Sequence, residues 1–338
     1  MTELNRNARP TLEAVAAHAG VSRATVSRVV NGGNGVRESV RLRVEQAVKD
    51  LGYVPNQAAR TLVTRRHDAV AVIIGEPERA VFSDPFFPVM LRGISQELTL
   101  ADKQLLLMLV ERTDDYDRMD RYLAGGHVDG ALLLSLHEND PLPAVVQRTG
   151  IPLVYGGRPF WPGGDAQLHV DSDNRGGARL AVEYLLQQGR ERIGVITGPL
   201  GLSAAQDRLE GYRDALPGGD PALIVEGDFT QGGGERAMEL LLEQEPDAVF
   251  VCSDYMAAGA LRVLREHRLR TPEDVAVVGF DDAPSIAPWT EPPLTTVRQD
   301  VEEMGRLMTR LLMRRLSGGD QHLDSILLPT ELVIRQSA

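Results

Sequence analysis

TLEAVAAHAGVSRATVSRVVNG, residues 11–32, is the stretch from which the organisation of this chain unfolds. Thr11 is a helix N-cap residue, and Leu12, Val15, Ala16 and Ala19 follow at helical spacing. Gly20 ends that element, and Ser22 can cap a second helix. The intervening turn, Ala19-Gly20-Val21, is short enough to cross the two helices steeply, as in a helix-turn-helix. In the second helix Val26, Val29 and Val30 share one side, while Arg23, Ala24, Ser27 and Arg28 share the other. An apolar back with a front of Arg, small and hydroxyl residues suits the DNA major groove. There Arg forks onto guanine O6 and N7, and a small side chain allows close approach.

Working outward, Val40, Val44, Ala47, Val48 and Leu51 form a third helical stripe, stopped by Gly52. Pro55 then breaks the chain, Asn56 can cap one or two further turns, and residues 64–67 read as a polar link. From Asp68 the pattern changes. Strand-like runs at 70–74, 105–110, 130–134 and 152–155 alternate with amphipathic segments. The order repeats at 193–197, 223–226, 248–252 and 275–280. Alternation of this kind predicts parallel sheets covered on both faces. Two copies predict two doubly wound subdomains facing a cleft. The segments 301–316 and 326–334, read as a helix and one strand, are expected to cross back and close the structure. The expected organisation is α/β: a head at 1–54, a hinge at 55–67 and a body at 68–338. The body's N-lobe takes about 68–168 plus 298–325, and its C-lobe about 169–297 plus 326–338.

The 338 residues carry a net charge of −12, unevenly spread. Residues 1–66 hold 11 Lys+Arg against 5 Asp+Glu, so a basic head precedes an acidic body. That asymmetry points to a polyanion as partner for the head alone. One cysteine, Cys252, excludes an internal disulfide and a Cys-based zinc cluster. The histidines show no ligand spacing, and no metal or cofactor is expected. No apolar run reaches the ~18 residues of a membrane span, and residues 1–10 have no signal core. A soluble cytoplasmic protein is expected.

Ligands of doubly wound sheets sit beyond the carboxyl ends of the strands. Ser135, Asp254, Asp281 and Asp282 follow such strands, Phe229 follows another, and Arg208 lies on a helix after 193–197. Carboxylates and Arg forks each bridge neighbouring hydroxyls, and Phe86, Phe87 and Phe229 can cover the apolar face of a sugar ring. Asp254 reads equally as the cap of the helix after it, Asp282 as a turn residue and Phe87 as core. Arg158, in GGRP, reads either as a cleft cation or as a surface ion pair. Gly232-Gly233-Gly234 lacks the Lys-Ser/Thr of a phosphate loop, and no Gly-x-Ser-x-Gly or His-Glu-x-x-His occurs, so no enzymatic activity is expected. A transport-type sugar-binding protein would match the lobes but has no use for the basic head.

The run at 11–32, followed by VRESVRLRVEQAVKDLGYVPNQAARTL at 36–62, resembles the head and hinge of the LacI–GalR repressor family. The resemblance extends over essentially the whole chain and implies a body of the periplasmic-binding-protein type. It implies Arg23, Ala24 and Arg28 as base readers, with Ser22, Thr25, Ser27 and Asn31 contacting phosphates or positioning the helix. It implies that Asn56, Ala59 and Leu62 belong to a hinge helix that wedges the minor groove. DRLEGY, CSDYMA and GFDD imply Arg208, Asp254 and Asp281 as effector contacts, and DPFFPVM implies Phe86 and Phe87 as aromatic cleft positions. A homodimer on a near-palindromic DNA operator is expected, since one head reads only a half-site. No leucine-heptad helix follows 326–334, so a tetramer is not expected. Segments from RTLVTRR to VYGGRP resemble actinobacterial regulators of cellobiose and related oligosaccharides, which implies a small sugar effector, a disaccharide or glucoside; a sugar gripped by both lobes is expected to act as an inducer that lowers operator affinity. The alternative is a purine-type corepressor.

Overall fold

The computed structural model describes residues 10–31, 33–54, 67–138, 140–159, 161, 163–318 and 323–338. The expected hinge positions Asn56, Ala59 and Leu62 lie outside them. The chain divides into two compact units, Met1–His67 and Asp68–Ala338.

The first unit holds α1 (Leu12–Ala19), α2 (Arg23–Val30) and α3 (Glu38–Leu51). Thr11 caps α1 by accepting from the Ala14 N–H at 3.3 Å, and Gly20 ends it in the left-handed conformation at φ 64°. A residue with a Cβ is disfavoured there, so the tight turn selects glycine. Val15, Ala19, Val26, Val29, Val44, Ala47 and Tyr53 close a small core among the three helices.

The second unit carries two six-stranded sheets. In chain order its strands are β1 (Ala69–Ile74), β2 (Gln104–Leu109), β3 (Gly130–Leu134), β4 (Leu153–Gly156), β5 (His169–Ser172) and β6 (Ile193–Thr197). They continue with β7 (Ile224–Glu226), β8 (Ala248–Val251), β9 (Ala276–Asp281), β10 (Thr295–Arg298), β11 (Ile326–Leu328) and β12 (Glu331–Val333). The helices are α4 (Glu78–Ser83), α5 (Phe86–Leu100), α6 (Thr113–Ala124), α7 (Leu142–Arg148), α8 (Asn174–Gln187) and α9 (Ser203–Ala215). After them come α10 (Gln231–Leu242), α11 (Asp254–Glu266) and α12 (Val301–Leu316). The N-lobe sheet runs β11-β5-β4-β3-β1-β2, wholly parallel, and the C-lobe sheet runs β12-β10-β9-β8-β6-β7 with β12 alone antiparallel. Strands β3, β6 and β8 are buried along their whole length, as continuous apolar strands between two helical layers must be.

The sheets correct the expected lobe boundaries. His169–Ser172 and Ile326–Leu328 pair within the N-lobe sheet, and Arg298 ends a C-lobe strand. The chain therefore crosses between lobes at Asp173, after Arg298, and between Leu328 and Glu331. The stretch 326–334 is two strands, one for each sheet, because Pro329 cannot donate to a ladder. Strand β5 escapes a pattern search because Asp171 and Ser172 interrupt its apolar character.

α12 returns to the N-lobe and packs on α5. The two helices meet at Gly93, where an added Cβ would collide with the Glu302 carbonyl. Arg310 also reaches Glu97 across this contact at 2.6 Å. Among the described residues no helix is long and apolar enough to cross a membrane. Gly93→Ala is expected to destabilise the body by about 1–3 kcal/mol through overpacking. Chemical denaturation of the variant checks this; an unchanged midpoint would show that the helices part without cost.

Candidate functional site

In the first unit, Ser22 caps α2 by accepting the Thr25 N–H at 3.2 Å, and its hydroxyl pairs with that of Thr25 at 2.9 Å. Val26 and Val29 face the core, while Arg23, Ala24 and Arg28 are exposed. Asn31 ends the helix and donates to the Ser27 hydroxyl at 3.3 Å. The seven head residues singled out in the sequence thus share one helix and its two ends. Arg23 is paired with Glu13 of α1 at 2.9 Å, both side chains being largely exposed. Such a pair contributes little in water and is readily exchanged for a stronger acceptor.

In the second unit a cavity lies between the lobes, at the carboxyl ends of both sheets. Its volume is about 180 Å³, an order of magnitude above the ~10–15 Å³ that houses one water, so it takes a molecule. Phe86, Ser135, Arg208, Phe229 and Asp281 all line it. Phe86 stands at the N-terminus of α5, edge-on to Phe87 with ring centres 5.4 Å apart. Ser135 donates to Glu76 at 2.5 Å, and His137 Nε2 reaches the same carboxylate oxygen at 2.7 Å. An ionised carboxylate only accepts, so the imidazole donates, and this bond to Glu76 raises the pKa of His137. Arg208, 5% exposed, donates to Asn174 Oδ1 at 2.9 Å and to the Cys252 carbonyl at 2.5 Å. Its guanidinium lies 3.7 Å from the centre of the Phe280 ring and 3.7 Å from Asp281. Burial pushes Asp281 up, with Arg208 pulling against it, and Gln299 donates to its carboxylate at 2.6 Å.

Asp254 requires correction. It is fully buried and does not face the cavity: its carboxylate accepts the Ala283 N–H at 2.7 Å and the Thr296 hydroxyl at 2.6 Å. Burial, reinforced by Asp281, raises its pKa well above the usual carboxylate range. It braces the turn that presents Asp281. Nor does it cap α11, because Ser253 accepts the Met256 N–H at 3.2 Å and itself lines the cavity. Asp282 is held by Arg298 at 2.7 Å and Arg335 at 2.5 Å, away from the cavity. Phe87 is N-lobe core that also reaches the cavity edge. Arg158 lines the cavity and is ion-paired at once, with Asp207 at 2.7 Å.

Glu76, Asp84, His137, Asn174, Tyr255 and Gln299 complete much of the polar wall and were not singled out in the sequence. Glu76 follows β1 and could have been found by the strand-end rule; Asn174 follows β5, which was itself unread. A backbone signal marks the same places. Ser135, Phe229 and Asp281 have φ of 55°, 59° and 122°. Non-glycine residues held in this region cost energy and gather at ligand sites.

Carboxylates, amides and a guanidinium facing inward beside aromatic rings suit a polyhydroxylated ligand, and an exposed recognition helix suits DNA. The two units together define a ligand-responsive DNA-binding regulator. Residues 11–56 match the lacI family of bacterial regulatory proteins, and residues 182–338 match the periplasmic binding protein-like domain. The chain is 47% identical to the HTH-type transcriptional regulator CelR of Thermobifida fusca, over 99% of this chain and 100% of that protein. A solved CelR–cellobiose complex aligns with TM-score 0.78 and 45% identity, covering 98% of this chain and 100% of that one. The lac repressor dimer bound to operator and the anti-inducer ONPF aligns with TM-score 0.84 and 28% identity, over 98% and 99%. The chain belongs to the lacI family of bacterial transcription regulators.

One cavity residue carries a pH signature. Burial pushes Asp84 up to about 7, partly offset by the Phe86 N–H that it accepts at 2.9 Å. An unfolded Asp ionises near ~3.9. A raised folded pKa gives a stabilising contribution that is whole below ~3.9 and lost as pH rises through about 7. Asp84→Asn keeps the neutral shape and an acceptor for Phe86. Its stability relative to wild type is therefore expected to improve from pH 5 to about pH 7 and to level off towards pH 8. A difference that stays flat in denaturant titrations over that range would show that Asp84 ionises normally.

Proposed function

We propose that the protein represses transcription by binding a near-palindromic operator as a cytoplasmic homodimer, and that a small sugar held between the lobes releases it. The observation that carries the sugar reading is the cavity wall. It sets Glu76, Asn174, Arg208, Asp281 and Gln299 beside Phe86, Phe229 and Tyr255, which is hydroxyl recognition next to apolar ring faces. The likeness to CelR, solved with cellobiose, supports a disaccharide or glucoside. The protein acts by binding, with no chemical step. In this reading Arg23, Ala24 and Arg28 read bases, and Ser22, Thr25, Ser27 and Asn31 hold phosphates or the helix. Asn56, Ala59 and Leu62 are proposed to contact the minor groove.

Two experiments test this. Arg28→Ala and Arg23→Ala are expected to cost about 1–3 kcal/mol of operator affinity and to relax preference at particular base pairs. An equal loss on operator and random DNA would reassign the residue to phosphate contact. Arg208→Ala and Asp281→Asn are expected to abolish the cellobiose response, read by calorimetry and by operator release. A coupling of about 3 kcal/mol makes cellobiose weaken operator binding roughly a hundredfold, and linkage demands the same factor in reverse. Tighter cellobiose binding in the presence of operator would make the sugar a corepressor.

A further inference from the structure

We infer that Arg158 and Asp207 form a clasp that holds the two lobes of the body closed and thereby sets effector affinity. The inference takes the inter-lobe cavity to be the effector site proposed above. Arg158 follows β4 in the N-lobe, and Asp207 stands on α9 in the C-lobe. Nη2 of Arg158 meets Oδ1 of Asp207 at 2.7 Å, and Nε approaches Oδ2 at 3.4 Å, a fork on a carboxylate. Both side chains are only partly exposed, at 36% and 23%, so water screens the pair less than a surface one.

Both partners are tied into the cavity wall. The Arg158 N–H donates to Asp171 Oδ2 at 2.8 Å, and Asp171 Oδ1 accepts from Asn174 at 3.0 Å. Asn174 in turn accepts from Arg208, which neighbours Asp207 on α9. Asp207 thus reaches toward the N-lobe while Arg208 reaches toward the ligand space. Next to this pair the lobes also touch through main chain. His137 and Leu202 form an isolated antiparallel bridge, and the Glu138 N–H donates to the Gly201 carbonyl at 2.7 Å. These bonds form only when the lobes are closed, so the Glu138 amide reports closure. Arg158 and Asp207 are positioning residues. Opening the clasp moves α9, and with it Arg208, away from the N-lobe wall of Glu76, Ser135 and Phe86.

The test uses the full-length protein with Asp207→Asn, Arg158→Met, and the swap combining Arg158→Asp with Asp207→Arg. Hydrogen exchange is measured without sugar on peptides covering 137–142 and 201–206. Both single variants are expected to exchange faster there, and the swap to return toward wild type. Cellobiose affinity by calorimetry is expected to fall about fivefold in each single variant, the upper range for a partly exposed pair, and to recover in the swap. Unchanged exchange in Asp207→Asn overturns the clasp. So does a loss of affinity confined to Arg158→Met, which would make Arg158 a direct sugar contact only. If wild type binds no cellobiose, the sugar reading fails while exchange still decides the clasp.

Discussion

Arg208 carries a charge that burial penalises by several kcal/mol unless partners replace its water. At 5% exposure it depends wholly on the surrounding chain. Three segments answer it: Asn174 at the start of α8, the Cys252 carbonyl just past β8, and the end of β9 through the Phe280 ring and Asp281. Each segment has its own reason to be there. Asp254 braces the turn after β9, Ser253 caps α11, and Asp171 holds Asn174. Satisfying one guanidinium therefore locks together the strand ends of the C-lobe with the crossover from the N-lobe. A wall built this way is rigid before any ligand arrives, which spares a ligand the cost of ordering it.

The parts of the fold legible in the sequence are those whose causes are local. Thr11, Ser22, Gly20 and Gly52 mark helix ends because a cap acts within one turn, and the structure places the ends there. The long apolar runs read as strands because sheets covered on both faces need them. Strands β5 and β10 were missed for the complementary reason. Asp171, Thr295 and Thr296 are buried polar residues whose partners lie elsewhere in the sequence, such as Arg158, Arg335 and Asp254. Pairing of this kind is invisible to periodicity, and the lobe boundaries moved accordingly.

The site divides along the same line. The strand-end rule located Ser135, Phe229 and Asp281, and all three line the cavity. It misjudged Asp254, which opens α11 and turns its side chain inward to Ala283 and Thr296. Side-chain direction at a strand end is decided by the neighbouring loop, which no single-chain pattern encodes. Arg158 was undecidable for a related reason: whether it is a cleft cation or an ion pair depends on Asp207, 49 residues on, and the structure makes it both.

The arrangement constrains which ligands can act as well as which can bind. A ligand shifts a conformational equilibrium only by its difference in affinity for the two states. One held by Arg208 and Asp281 alone would travel with the C-lobe and leave the lobe equilibrium untouched. The N-lobe supplies Phe86 and the Glu76–Ser135–His137 cluster on the facing wall. With the cavity as the proposed effector site, a response requires a molecule long enough to engage both walls at once. Whether it favours the closed form then depends on matching the separation that Arg158–Asp207 and Glu138–Gly201 already define in this structure. A shorter molecule that satisfies one wall would occupy the cavity, compete with the effector and change nothing else.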